Sequence, residues 1–565
     1  MIKKLLCTFA AIMFLPSLFQ AASAFDPVRV VYEDLVYMEY EDHVELIGVA
    51  AQRDGCIVPY IYVDIPVKVN GKYVTEIGEN AFSTIADIYG ITIPVGVKKI
   101  SEKALLDCNS LKSIKVSFDN ENYESLDGVL FSKGMERLVK YPCKRDGKYY
   151  AVPVGVREIA ANAFFNCTLE TIELSETVET IETSELRPFP GCGYLKKFIV
   201  SEDNPCLKAI DGVLFENDKL LKYPVGLKLR EYNVPDGTTV IGGGAFYGAD
   251  LLRVSIPDSV VTIEKNAFRN CDNLLEIADL PQSLTYIGEG VFYGCTHLRK
   301  AEFPEGITGI CDNMFNGCTA LKDVAIPKSA VSIGERSFAN CKAIESIELP
   351  ESLADIGNYA FYSCSAISEL YIPEGTVNIG EQAFAGCSRI VRAELPKSLK
   401  TIGKYAFGYC PVTDVYYGGS EAERDDISGI LQNSVLQNAV WHYNIKMPKS
   451  KITVTVNGNE IDFDQAPIIE NGCVLVPMRE LFAALGGRVS WSYKDERATA
   501  AKLFVTLSVE PNSGVMTVNG KEVPLGSTAR VVNGKMFIPV RNAAEAFGYS
   551  VSWNNEELEV MIETK

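Results

Sequence analysis

The chain has 565 residues, and its 73 acidic residues outnumber its 54 basic residues, giving a formal net charge of −19 at pH 7. This acidic balance argues against nucleic acid and anionic lipid as partners, because both attract basic surfaces. Hydrophobic residues make up 47% of the chain and low-complexity sequence is scarce, so most of the length is expected to fold.

The N-terminal segment that ends at Ala24 predicts export. Lys3 and Lys4 precede an apolar run over residues 5–19, and small residues suited to a cleavage site follow it. We therefore expect a signal peptide cleaved after Ala24, and a protein that is secreted or associated with the cell surface. No later run reaches the roughly 20 apolar residues that span a membrane. The C-terminus carries no covalent sorting motif, so no transmembrane or covalent anchor is expected.

Two strand-like runs, residues 35–40 and 44–49, follow the export signal and are joined by a short acidic turn. We expect them to form an N-terminal β cap over residues 25–75. Such a cap would cover the first repeat of the region that follows, because the end of a repeat array exposes apolar residues.

Residues 76–410 contain a repeat. A Phe followed three residues later by Cys recurs seven times, at a steady interval of 23 from Phe292 onward. The pairs are Phe268/Cys271, Phe292/Cys295, Phe315/Cys318, Phe338/Cys341, Phe361/Cys364, Phe384/Cys387 and Phe407/Cys410. An interval of this length is typical of leucine-rich repeats, in which each coil combines a strand with a return segment.

One period reads Leu321-x-x-Val324-x-Ile326-Pro327, then Ile333-Gly334, then the Phe and Cys pair. The alternation around Val324 predicts one short parallel strand per coil, ended by Pro327. We expect the Gly to allow a close turn and the Phe to fill the space between the two sides of the coil. Stacked coils would bury these residues, at roughly 1.5–3 kcal/mol for each large apolar side chain.

The repeats are interrupted twice by the same motif. Residues 126–131, which contain Asp127-Gly128, lead to Tyr141-Pro142, and the same arrangement recurs farther along the chain around Asp211-Gly212. Asp-Gly before an apolar run is typical of a hairpin turn. We therefore predict β-hairpin insertions near residues 117–142 and 201–224, with a structural role.

These motifs closely resemble the BspA-like leucine-rich repeats of bacterial surface proteins. The resemblance extends to the less regular early part through Ala81-Phe82, Ala163-Phe164 and Ala245-Phe246. It implies a β-rich solenoid of parallel strands, and adhesion as the function. Residues 411–445, which include Val415, Tyr416, Tyr417 and Trp441, resemble the closing cap of such solenoids; Arg424 stands where an aromatic residue is expected.

The repeated cysteines occupy one inward position. Neighbouring strands about 4.7–4.9 Å apart would permit disulfide bonds, but side chains that point in parallel favour buried free thiols. One cysteine per coil along a line does not form a tetrahedral metal site. We expect free thiols and no metal.

After a short linker, residues 446–451, the pattern changes. Asn457-Gly458, Pro477-x-Arg479 and Trp491 recur in the same order and with the same spacing as Asn519-Gly520, Pro539-x-Arg541 and Trp553. This region, residues 452–565, is predicted to be a small α+β domain of two tandem halves, 452–510 and 511–565. It resembles the copper amine oxidase N-terminal-like domain, which implies a non-catalytic stalk. We expect Arg479 and Arg541 to bond carbonyl groups where the halves meet, with recognition of an acidic group as the alternative.

No motif predicts an enzyme or a cofactor. The three histidines, His43, His297 and His442, lie in separate regions, and the motifs of metalloproteases, hydrolases and phosphate-binding loops are missing. A carbohydrate-active enzyme would require a pair of carboxylates in a cleft, which the sequence alone does not identify.

The outward residues of the predicted strands form a candidate binding face. One row comprises Ser255, Glu302, Ala325, Glu348, Tyr371, Glu394 and Tyr416, and the adjacent row comprises Arg253, Lys300, Asp323, Glu369, Arg392 and Asp414. The candidate contact residues are Glu348, Tyr371, Arg392, Glu394 and Tyr416, because Tyr and Arg are enriched in interfaces. A packing role for the tyrosines is the alternative.

Two functions remain open at this point. The first is an exported, non-catalytic interaction protein that binds an extracellular protein or glycan through this face. The second is a structural envelope component, in which the C-terminal domain associates with the cell's own wall or with itself and the repeats act as a spacer.

Overall fold

The structure is a computed structural model, and it describes residues 27–33, 35–49, 62–79, 81–82, 88–106, 108–182, 189–277, 280–445, 452–470, 473–492, 497–532, 534–554 and 558–564. The predicted signal peptide and the predicted linker lie outside these residues. The chain forms two compact units, Met1–Lys300 and Ala301–Lys565, which are treated separately below.

The first unit is built almost entirely from short strands. They are β1 (Val28–Tyr32), β2 (Leu35–Glu39), β3 (His43–Val49), β4 (Tyr62–Asp64), β5 (Lys68–Val69), β6 (Lys72–Ile77), β7 (Gly90–Ile93), β8 (Lys99–Ile100), β9 (Ser113–Val116), β10 (Tyr123–Leu126), β11 (Val129–Ser132), β12 (Arg137–Lys140), β13 (Tyr149–Ala151), β14 (Glu158–Ile159), β15 (Thr171–Leu174), β16 (Thr180–Ile181), β17 (Lys197–Val200), β18 (Leu207–Ile210), β19 (Val213–Glu216), β20 (Lys219–Lys222), β21 (Glu231–Asn233), β22 (Val240–Ile241), β23 (Arg253–Ser255), β24 (Thr262–Ile263), β25 (Glu276–Ile277) and β26 (Tyr286–Ile287). A 3-10 helix, Val225–Leu227, follows β20.

At the N-terminal end of this unit, β1, β2 and β3 form an antiparallel meander. Strand β3 then pairs in parallel with β6, and β6 pairs in parallel with β8. The antiparallel meander therefore leads directly into the parallel sheet of the first coils. Its inward side chains, such as Tyr37, Val44 and Leu46, are fully buried.

Each predicted insertion contains a hairpin. Strands β10 and β11 are antiparallel around Asp127-Gly128, and β18 and β19 are antiparallel around Asp211-Gly212. Both turns use the left-handed region. The φ angle is 50° at Asp127 and at Asp211, and it is 81° at Gly128 and 82° at Gly212. A third strand follows each hairpin. Strand β12 pairs antiparallel with β11 and parallel with β14, and β20 pairs antiparallel with β19 and parallel with β22. Each insertion therefore ends inside the sheet of the repeats.

The second unit contains the last five of the seven Phe and Cys pairs, the cap of the repeats and the C-terminal domain. Strand β27 (Lys300–Glu302) spans the division. The elements that follow are β28 (Gly309–Ile310), β29 (Asp323–Ala325), β30 (Ser332–Ile333), β31 (Asp355–Ile356), β32 (Leu370–Tyr371), β33 (Asn378–Ile379), β34 (Arg392–Leu395), β35 (Thr401–Ile402), β36 (Asp414–Tyr417), α1 (Glu421–Asp425), a 3-10 helix (Ile430–Gln432), α2 (Ser434–Asn438), β37 (Val440–His442), β38 (Thr453–Val456), β39 (Asn459–Glu460), β40 (Ile468–Glu470), β41 (Cys473–Pro477), α3 (Met478–Ala484), β42 (Arg488–Ser492), β43 (Arg497–Lys502), β44 (Val505–Val509), β45 (Val515–Val518), β46 (Lys521–Pro524), β47 (Arg530–Val532), β48 (Lys535–Pro539), α4 (Val540–Ala546), β49 (Tyr549–Asn554) and β50 (Glu559–Thr564).

The repeats of this unit contribute strands on two sides rather than one, and β29 belongs to a further sheet, β25-β27-β29. Strands β28, β30, β31, β33 and β35 pair in one sheet, and β32, β34, β36 and β37 pair in the other. The expectation of a single strand per coil was therefore wrong. The Ile before the repeat Gly belongs to the first of these sheets, as Ile333 and Ile356 show.

Rings from successive coils stack between the two sheets. The ring centroids of Phe338, Phe361 and Phe384 are 5.2 Å apart, and the planes differ by 2° and 5°. All three side chains are fully buried. Stacked contacts of this kind add about 0.5–1.5 kcal/mol per pair beyond the burial of apolar area.

The return segment between the sheets is held by hydrogen bonds from coil to coil. The amide of Phe338 donates to the carbonyl of Ala360, and the amide of Phe361 donates to the carbonyl of Ala383. Non-glycine residues with positive φ recur in this segment at the same place in each coil: Arg336, Tyr359, Gln382 and Tyr405, with φ of 52°, 57°, 50° and 54°. The hydrogen bonds satisfy the buried amides and hold these residues in the left-handed region.

The repeat Gly has a different role from the predicted one. At Gly380 φ lies outside the left-handed region, so the turn does not require glycine. A Cβ there would instead lie 2.5 Å from the amide nitrogen of Asn358 in the preceding coil, and one at Gly403 would lie 2.2 Å from that of Glu381. The Gly therefore permits close approach of two backbones.

Helix α1 and strand β37 close the repeats. Ser420 and Glu423 form a capping box at the start of α1. Arg424 donates a 2.8 Å hydrogen bond to the hydroxyl of Tyr443 and lies 5.6 Å from the ring centroid of Trp441. The guanidinium therefore stacks and bonds among aromatic rings at the place where an aromatic side chain was expected.

The halves of the C-terminal domain are not two successive units. The sheet β39-β38-β50-β49 joins the first hairpin of the domain to its last strands, and the sheet β42-β43-β44-β45-β46 joins the second hairpin to strands of the first half. A third sheet, β40-β41-β48-β47, combines one hairpin from each half. The halves are thus interleaved, and one hydrophobic core contains residues from both.

Candidate functional site

The predicted binding face is best formed on the sheet β32-β34-β36-β37. The registers align Tyr371 with Glu394, Glu394 with Tyr416, and Tyr416 with His442. Since residues in register on parallel strands lie side by side, these four side chains form one outward row. Arg392 is in register with Asp414 in the adjacent row.

Charged and aromatic groups of this face contact one another. The Arg392 guanidinium lies 3.8 Å from the ring centroid of Tyr416 and pairs with the Glu394 carboxylate at 2.8 Å. The Tyr416 ring also stacks on His442, with centroids 4.4 Å apart. His442 in turn contacts Asp414 through Nε2 and Oδ1 at 2.9 Å. The tyrosine ring thus contacts both a guanidinium and an imidazole.

The two acidic groups of the face have opposite environments. The Glu394 side chain is only 15% exposed, and burial raises the pKa of its carboxyl although Arg392 acts to lower it. Asp414 lies at the surface, and the hydrogen bond from His442 lowers the pKa of its carboxyl. Burial likewise raises the pKa of the Tyr371 phenol, which agrees with a packing role for that ring.

Four of the five predicted contact residues, Tyr371, Arg392, Glu394 and Tyr416, therefore lie together. Glu348 is exposed, but residues 344–350 form no strand, so no register places it in the row. His442 also lies in the row, although it was not among the predicted contact residues. The alternation Trp441-His442-Tyr443 after Tyr416-Tyr417 is the signal that would have placed it in the outward row.

The cysteines of the repeated Phe and Cys pairs form a buried row instead of a chemical site. The thiol of Cys364 donates to the carbonyl of Phe338 at 3.0 Å, and that of Cys387 donates to the carbonyl of Phe361 at 3.3 Å. Every cysteine the structure describes is a free thiol. Burial raises the pKa of Cys364 to about 12, so its reactive thiolate form is scarce at neutral pH.

Within the described ranges, no three His, Cys, Asp or Glu side chains are grouped so as to hold a metal ion. Arg479 and Arg541 are both exposed, and neither makes a hydrogen bond or ion pair with a described residue, so the expectation that they bond carbonyl groups between the halves was wrong. None of the described helices is both long and apolar enough to cross a membrane.

Comparison with known families supports the two regions seen in the sequence. The profile of the BspA type leucine rich repeat region matches residues 65–139, 146–228, 223–333 and 308–423, in six copies. The chain belongs to the BspA type leucine-rich-repeat family. The profile of the copper amine oxidase N-terminal domain, a non-catalytic domain, matches residues 455–562. No curated protein matches the chain.

Several solved structures of bacterial leucine-rich-repeat proteins are similar to this BspA type protein. One from Eubacterium ventriosum is 21% identical, with 69% of this chain and 96% of that chain covered and a TM-score of 0.46. One from Bacteroides ovatus is 22% identical, with 73% and 99% covered and a TM-score of 0.39. A leucine rich cell surface protein from Faecalibacterium prausnitzii is 19% identical, with 71% and 98% covered and a TM-score of 0.33.

Proposed function

We propose that this protein is exported and binds an extracellular protein or glycan through the sheet face formed by Tyr371, Arg392, Glu394, Tyr416 and His442. The observation that carries the proposal is the stack of Arg392, Tyr416 and His442 on one face of the sheet. Membership of a repeat family whose proteins are typically found at the cell surface supports the same function.

The groups of this face are ordered before any partner arrives. Arg392 is 51% exposed, yet its guanidinium is already positioned by Glu394 and by the ring of Tyr416. A preformed contact loses less side-chain entropy on binding than a mobile one, by about 0.5–1.5 kcal/mol for each immobilised side chain. Arginine and tyrosine also account for much of the energy at measured interfaces.

The test is binding of the full-length protein, by surface plasmon resonance, to immobilised extracellular matrix proteins and to a glycan array. We expect saturable binding to at least one member of these panels. Arg392→Ala should weaken that binding about tenfold or more, because truncation of a central arginine typically costs about 1.4 kcal/mol or more.

Arg389→Ala is the matched control. Arg389 is exposed in the same coil, three residues before Arg392, but it precedes strand β34. Its loss should change the affinity less than twofold. If both variants bind as the unmodified protein does, or if no panel member shows saturable binding, the face is not the binding surface and a spacer role for the repeats is favoured.

A further inference from the structure

The C-terminal domain contains a cavity of about 520 Å³. Helix α3, edge strand β42 and strand β48 surround it, and they contribute Arg479, Glu480, Trp491, Lys535 and Met536 to its lining. The volume falls within the roughly 300–1,000 Å³ typical of small-molecule sites. The sheet face described above contributes no residue to it.

The polar groups of the cavity are incompletely paired. Lys535 donates from Nζ to Oε1 of Glu480 at 3.2 Å and to Oδ2 of Asp464 at 2.6 Å. The second carboxylate oxygen of Glu480, Oε2, is buried without a hydrogen-bond partner among the described residues. Arg479 is exposed and pairs with no acidic group in the described part of the chain. Arg479 therefore offers an unpaired cation to a ligand at the cavity wall, and Lys535 lies beside it as a second donor.

The rest of the lining is apolar and adaptable. The indole of Trp491 is 38% exposed, and Met478, Val489 and Met536 lie around it. An indole face binds the C–H side of a ring, and methionine side chains adjust to irregular shapes.

The second copy of the motif keeps the fold residues but not this chemistry. Arg541 and Trp553 match Arg479 and Trp491, whereas the positions equivalent to Met478, Glu480, Lys535 and Met536 hold Val540, Asn542, Cys473 and Val474, in that order. Asn542 donates from Nδ2 to the carbonyl of Pro524 at 3.0 Å, so its amide makes a structural contact within the domain. Since both copies fold alike around different residues, the shared motif does not require the ion pair or the methionines, which leaves these groups available to a ligand.

We propose that this cavity binds a saccharide that carries a carboxylate group. The guanidinium of Arg479 pairs with the carboxylate, whose two oxygens match its planar donors. A sugar hydroxyl accepts hydrogen bonds, so it suits a wall on which the ammonium of Lys535, with three donor hydrogens, lies beside the carboxylate site. The C–H face of the ring lies on Trp491.

The proposal is tested by isothermal titration calorimetry of the full-length protein at about 0.15 M salt, where exposed charges are screened as they are under physiological conditions. The probe is the disaccharide of N-acetylglucosamine and N-acetylmuramic acid, which carries one carboxylate; the control probe is the disaccharide of N-acetylglucosamine, which has none. We expect saturable binding of the first, and binding of the second at least tenfold weaker.

The duplication supplies a matched control variant. Arg479→Ala should weaken binding of the acidic disaccharide about tenfold or more, and Arg541→Ala should change it less than twofold. Equal binding of the two disaccharides, equal losses in the two variants, or no saturable binding would overturn the proposal. Binding of a hexapeptide of alternating Asp and Leu in place of the acidic disaccharide would also overturn it and assign the cavity to a peptide. None of these results depends on the sheet face of the repeats, so the two proposals succeed or fail separately.

Discussion

The regular repeats and the C-terminal domain both consist of copies of a motif, but the residues that stay constant between copies are of different kinds. In the repeats, the buried Phe and Cys return in every coil while the outward residues change from Ala325 to Tyr371 to Glu394. In the C-terminal domain, both copies keep Pro, Arg, Gly and Trp, and the residues that line the cavity change.

The difference follows from how the copies pack. A coil contacts only its neighbours, and its neighbours have the same interior, so the buried residues are fixed and variation is confined to the outside. The halves of the C-terminal domain exchange strands and share one core, so each half contacts its opposite and their inward-facing positions can differ. Specific chemistry is therefore expected on the surface of the repeats and in a cavity of the C-terminal domain.

The largest effect on stability is expected when a buried aromatic ring is removed from each region. Phe361→Ala, which breaks the stack of rings in the repeats, should lower the free energy of unfolding by about 3–5 kcal/mol. Phe482→Ala, which removes the partner of Phe547 at 4.7 Å, should cost a similar amount in the C-terminal domain. Calorimetry should show each variant shifting a different transition. A single transition shifted equally by both would mean that the regions unfold together.

The close approach of coils is tested by Gly380→Ala. The added Cβ would meet the backbone of the preceding coil, so we expect a loss of about 1–3 kcal/mol in denaturant unfolding. Gly514→Ala in the C-terminal domain is the control, because a Cβ there has nothing within 4 Å. A similar stability of the two variants would show that the coils can separate slightly at no cost.

The thiol row is tested by Cys364→Ala, which deletes a buried sulfur and its hydrogen bond to Phe338. Loss of a small buried group should cost about 1–2 kcal/mol. In the unmodified native protein, Cys364 should resist alkylation by iodoacetamide at pH 8, as mass spectrometry would show. Rapid alkylation without unfolding would contradict the buried position.

The smallest effect is expected from Glu394→Gln. Burial raises the pKa of Glu394 in the folded protein, so folding favours its protonated form, and this residue lowers stability as pH rises from the ordinary glutamate pKa through the raised one. Above that window the carboxylate is charged in both states and its cost is constant. The Gln variant should therefore be more stable at pH 7, by up to about 1 kcal/mol, and about as stable as the unmodified protein at pH 4. Melting curves at the two pH values would show whether Arg392 already offsets the cost.

The sequence was sufficient to predict features that depend on side-chain chemistry. The regular interval of the repeats identified the stacked Phe and Cys positions, and Asp127-Gly128 identified a hairpin, because a buried ring and a tight turn each demand particular residue types. The outward row was also predictable, since strand alternation fixes which side chains are outward.

Features imposed by the backbone could not be predicted. Arg336, Tyr359, Gln382 and Tyr405 share a left-handed conformation but no chemistry, because hydrogen bonds between coils impose it. The second strand of each coil is too short for a recognisable alternation, as Ser332–Ile333 and Asp355–Ile356 show. The exchange of strands in the C-terminal domain depends on contacts between halves, which an internal repeat in the sequence does not specify.

The hydrogen bonds of the return segment also constrain how such a gene can change length. The amide of Phe361 meets the carbonyl of Ala383 one coil later, and the amide of Phe384 meets that of Ala406. Recombination that adds or removes one whole coil leaves each amide opposite an equivalent carbonyl, whereas any other length breaks the register. A change of array length by whole coils therefore moves the end of the outward face by about 4.8 Å for each coil added or removed.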